Sequence, residues 1–105
     1  MTCYAGNTTT TTPTINSGAN TTILAANPFR KFLLIQNNSA ADVAIGLEGQ
    51  TLTGIAPTST NKCFVLKSTA GLNVIRFDGF FLPGSAITCY QTSGGAINTV
   101  TVIEG

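Results

Sequence analysis

Few side chains in this 105-residue chain can do chemistry. It has no histidine, so the commonest general base and the commonest protein metal ligand are both missing. Its four acids, Asp42, Glu48, Asp78 and Glu104, are scattered over turn-like stretches and the C-terminal end. Nothing in their spacing pairs two carboxylates as general acid and base, and aspartates in turns ordinarily cap them. The three cysteines, Cys3, Cys63 and Cys89, form no CxxC pair and are odd in number, which argues against a thiol zinc site and against a disulfide framework. Reduced thiols are expected, as in a protein made in a cytoplasm. Cys63 and Cys89 lie inside apolar, strand-like runs and read as small core residues, with no base or cation beside them to activate a nucleophile. Cys3 sits in a loose N-terminal stretch, where exposure alone would make it reactive. Gly94-Gly95 lacks the strand–loop–helix context and the lysine of a phosphate loop. Arg30-Lys31 is the one basic cluster: a solvated strand start or surface ion pair, or else a bridge to an acidic neighbour. These residues predict no enzyme, no catalytic residue, no cofactor and no metal.

Composition points to association instead. Charged residues are 9% of the chain, where soluble domains carry roughly 25%. Thr, Asn, Ser and Gly take their place, with 43% hydrophobic residues and a mean hydropathy of +0.29. An uncharged polar surface is cheap to desolvate against a partner, because a hydrogen-bonded Thr or Asn costs far less to bury than Lys or Glu. A chain that lives in an assembly is therefore favoured over a monomer with a Thr-rich surface. A net charge of +1 supplies no basic field for nucleic acid. No apolar run approaches the ~20 residues of a membrane span. The start, MTCYAGNTTTTT, has neither the basic nor the apolar region of a signal peptide.

The elements that would position these residues all read as strands. Residues 1–20 form a Thr-rich segment with the unbroken run Thr8, Thr9, Thr10, Thr11, Thr12, closed by Pro13. Thr favours extended backbone, and the run offers no large apolar side chain to a core. It is either a fraying tail or an extended arm that orders on a neighbouring subunit by adding a strand to an exposed edge. Residues 21–105 form a single domain. Strands are predicted at 21–25, 31–36, 43–47, 63–67, 72–77, 85–91 and 97–103, with a brief one at 51–55. The stretch from Ala26 to Gly49 reads as a β-hairpin: the apolar run Phe32-Leu33-Leu34-Ile35, a polar turn rich in Asn, Ser and Asp, then Val43, Ile45 and Leu47 alternating with Ala44 and Gly46. Asp78-Gly79 and Pro83-Gly84 bracket Phe80-Phe81-Leu82. Those two phenylalanines either cap the end of the core or form a contact patch at a subunit interface. No helical periodicity occurs. Six to eight short antiparallel strands, with turns about every ten residues, predict an all-β fold: a small β-sandwich or jelly-roll-like barrel with an extended N-terminal arm.

Residues 27–37, NPFRKFLLIQN, resemble a pattern of small structural proteins of tailed bacteriophages, in which such a strand is followed by a polar turn and a second strand like 42–47. Leu82-Pro83-Gly84 and the closing Val100–Gly105 stretch match its later features, so the similarity covers roughly residues 22–105 and leaves out the Thr-rich segment. The resemblance implies a virion component: a head decoration or cement protein binding between major capsid proteins as a homo-oligomer, with a trimer favoured. Its alternative is a tail or head-fibre part with a host-receptor or glycan role, for which Phe80, Phe81 and Tyr90 are the candidate aromatics. It carries no catalytic residue across. The interface residues expected are Thr8 to Thr12, Arg30, Lys31, Phe80 and Phe81.

Overall fold

A computed structural model describes residues 8–78 and 82–105. Its elements are all strands: β1 (Thr9–Thr11), β2 (Thr21–Leu24), β3 (Leu33–Asn37), β4 (Val43–Gly46), β5 (Phe64–Leu66), β6 (Val74–Phe77), β7 (Ile87–Tyr90) and β8 (Val100–Glu104). They form two four-stranded sheets, ordered β1-β8-β3-β6 and β2-β7-β4-β5, with every pairing antiparallel. Partners follow one rule: β1 with β8, β2 with β7, β3 with β6, β4 with β5. The chain is thus one long hairpin, rolled up until its two halves lie face to face, which is the jelly-roll form of a sandwich.

Alternation decides which side chains enter the sandwich. Leu33 and Ile35 of β3, and Val100 and Val102 of β8, point inward from one sheet; Val43 and Ile45 of β4, and Ile87 and Cys89 of β7, meet them from the other. On β6 the same period leaves Ile75 and Phe77 half-buried and Val74 and Arg76 outside. Burial of this apolar face, at roughly 25 cal/mol per Å², is the main force holding the layers together.

The hairpin expected between 31–36 and 43–47 does not form. β3 and β4 belong to different sheets, so residues 38–42 are an arch across the sandwich. Two alternating strands joined by a short polar turn can bury their apolar faces side by side or face to face, and here they do so face to face. Nor is there a strand at 51–55. Donors there are satisfied by side chains: Leu52 N–H by Asn20 Oδ1 (2.9 Å) and Thr53 N–H by Asn61 Oδ1 (2.9 Å). The 47–63 connection instead lies on the outer face of β4. Leu52 is buried there, and a Cβ on Gly46 would meet Thr88 Oγ1 at 2.6 Å and Leu52 Cδ2 at 3.3 Å. Only glycine lets the covering segment approach that closely.

The described part of the Thr-rich segment, 8–20, packs on the same sandwich. Thr9, Thr10 and Thr11 pair with Glu104, Ile103 and Val102 of their own chain. Ile15 is fully buried in the core and exchanges backbone hydrogen bonds with Ile97 at 2.8 and 3.0 Å. A boundary drawn between residues 20 and 21 therefore falls inside continuous packing.

Candidate protein–protein interface

In a rolled hairpin nearly every connection crosses between sheets, so carbonyls at strand ends lack ladder partners. Buried polar side chains take them up. Asn37 donates to the carbonyls of Ala41 (2.7 Å), Leu66 (3.1 Å) and Lys67 (3.3 Å), and its Oδ1 accepts from Ser39 N–H and Oγ–H. Gln91 donates to Ile15 and Gly95 carbonyls (2.9 and 2.8 Å), and Asn61 to those of Gly54 and Ala56 (both 2.9 Å). Among the described residues no buried side-chain nitrogen or oxygen lacks a partner.

Arg30 is the largest of these brackets. Its side chain is 0% exposed and is not the solvated strand start expected from sequence. The guanidinium donates to Glu104 Oε2 (2.6 Å), to the carbonyl of Pro83, and to those of Ser85 (3.3 Å) and Ala25 (3.0 Å). One cation thus ties the turn before β3 to the segment before β7 and to the end of β8. Planar, five-donor arginine suits such divergent acceptors; a lysine would not reach them together. Around it, Asn27 N–H donates to Gly84 O (2.8 Å), Phe29 N–H to Asn27 Oδ1 (3.0 Å) and Arg30 N–H to Asn27 O (3.2 Å). Lys31 and Phe32 N–H both donate to Gly105 O.

This bracing presents two side chains with no polar or ionic partner among the described residues. Phe29 is 85% exposed, and Lys31 is exposed with no ion pair among the described residues. A lone surface hydrophobe needs no explanation. Phe29 differs in that the backbone on either side is held by hydrogen bonds, so little ordering entropy remains to be lost on contact. Of the expected interface residues, Thr8 to Thr12 are all exposed, and register sets Thr9 beside Glu104 on the same sheet end as the Phe29 turn. Arg30 is internal, Lys31 is at the surface, and Phe80 and Phe81 lie outside the described residues. Phe29 carries no local signal of exposure, since an aromatic between Pro28 and the basic pair, ahead of an apolar run, has the composition of a strand start. Asn37, Asn61 and Gln91 carry no local signal of burial.

A shallow groove of about 240 Å³ opens between the start of β5 and the end of β4, lined by Ile45, Leu47 and Phe64 with Glu48, Lys62 and Cys63. It is smaller than the roughly 300–1,000 Å³ of ligand pockets. Burial pushes the Cys63 thiol up, which keeps it protonated and poorly nucleophilic near neutral pH. Burial raises Cys89 further, to about 12. Three of the four carboxylates are taken by ion pairs, with Arg30, Lys67 and Arg76. Among the described residues no three metal-ligating side chains cluster, and no helix is long and apolar enough to cross a membrane. No family model, curated protein or solved structure matches the chain.

Proposed function

We propose that the chain is a non-enzymatic structural protein of a tailed-phage virion, a decoration or cement protein that binds between major capsid proteins on the head surface as a homo-oligomer. One observation carries the reading: Phe29 is held outward on a braced turn in a chain whose surface is poor in charge. In residues 27–37 the polar positions Asn27, Arg30 and Asn37 are explained by folding, since each satisfies backbone groups of its own chain. Phe29 and Lys31 are not so explained. An aromatic anchor beside one cation suits an apolar pocket with an acidic rim on the partner. Binding that recognises only the assembled shell stabilises that shell by mass action.

The test is co-sedimentation with empty phage shells. Wild type pellets with shells; Phe29→Ala stays in the supernatant while its melting temperature is unchanged, since an exposed side chain contributes within about 0.5 kcal/mol to stability. Wild-type protein that ignores shells overturns the cement reading and moves the search to tail parts and glycan binding.

A further inference from the structure

We infer that β1 is a self-pairing edge, through which two copies of this chain join antiparallel across a two-fold axis. A sandwich of two open sheets has four edge strands, here β1, β6, β2 and β5. Each open edge is a template for another strand unless something blocks it. Three are blocked. β2 carries a register irregularity between Thr22 and Leu24. β5 lies between Lys62 and Lys67, whose charges flank its edge. β6 bears Arg76, ion-paired with Asp78 at 2.7 Å.

β1 is as short as β5, but among the described residues it carries neither a charge nor a register irregularity. Its pairing with β8 is regular, and Thr8 to Thr12 are all exposed. No charged residue precedes Arg30 in the chain. A second copy is the occupant this chemistry suits best. When an edge meets its own copy about a two-fold axis, a charge at the axis meets its like charge, and an edge without charge escapes that penalty. The two-fold arrangement sets Thr10 opposite the other copy's Thr10, and Thr9 opposite Thr11, so that β-branched threonines pair across the strands. Pro13 cannot donate to a ladder and ends the paired stretch. The product is one continuous eight-stranded sheet across two copies, ordered β6-β3-β8-β1 and then the same strands in reverse. Five residues a side bury far less than the ~1,200 Å² of a stable interface, so the contact is weak in free solution and strengthens where copies are held close together. The inference does not depend on shell binding.

The experiment uses full-length protein and no shells. Sedimentation equilibrium is run up to about 1 mM, a range that reads weak association, on wild type, Thr10→Lys, Thr10→Glu and an equimolar mixture of the two variants. Expected are a mass rising with concentration for wild type, at least about tenfold weaker association for either variant alone, and recovery in the mixture. Unchanged melting temperatures show that the folds are intact. A wild type that stays monomeric throughout overturns the inference, as does a Thr10→Lys variant that associates like wild type.

Discussion

The two ends of β3 solve one problem with different chemistry. At each end the chain leaves a ladder and strands backbone carbonyls in the interior. Before β3, Arg30 collects the carbonyls of Ala25, Pro83 and Ser85 and takes Glu104 as counter-ion. After β3, the neutral amide of Asn37 collects those of Ala41, Leu66 and Lys67. The amide is cheap to desolvate but short, and it serves one arch. The guanidinium is costly to bury, which a carboxylate must offset, yet it reaches three separate segments. The difference teaches where stiffness is wanted: the charged bracket lies under the turn that projects Phe29, whereas the amide lies under a turn with no large exposed side chain.

Removing each bracket in turn tests that contrast. Arg30→Met should be the more damaging, with a loss of about 3–5 kcal/mol, because the Glu104 carboxylate and three carbonyls lose their donor together. Denaturant midpoints at neutral pH measure it. Asn37→Ala should cost about 2 kcal/mol, within the range for orphaned buried acceptors. Equal losses would mean that the charge adds nothing and that the ends are equivalent.

The smallest expected effect sharpens the contrast through pH. Beside the Asn37 end, the Ser68 N–H donates to Asp42 Oδ1 (3.0 Å) and, with help from Lys67, holds its carboxyl below the ordinary value of 3.8 against a lesser opposing effect of burial. A pKa depressed in the folded state adds stability that is present above about 3.8 and is lost as pH falls through the folded value. Asp42→Asn should therefore lower the melting temperature slightly at pH 7 and converge on wild type in acid, which flattens its decline on acidification. Parallel acid profiles for wild type and variant would remove Asp42 from that role.

Strand positions were legible because alternation is a local signal: Val43, Ile45, Val100 and Val102 announce an inward face wherever they pair. Ile15 was not, since a single isoleucine among Thr, Asn and Ser has no period, and its burial rests on a bridge to Ile97, 82 positions on (97 − 15). The turn at 38–42 was legible as a turn but not as an arch. What separates the two is Asn37 bonding to Leu66 and Lys67, 29 and 30 residues away. Burial of Arg30 is not legible in the sequence, because solvation is the ordinary fate of a charge and carbonyls that hold it inside come from distant parts of the chain.

By itself, then, the sequence determined an all-β chain with a nearly uncharged surface, because period-two patterning and composition act residue by residue. Tertiary structure alone decided which strands share a sheet, that Arg30 lies inside and that Phe29 lies outside. Those outcomes depend on groups far apart in the chain competing for the same carbonyls and the same buried space.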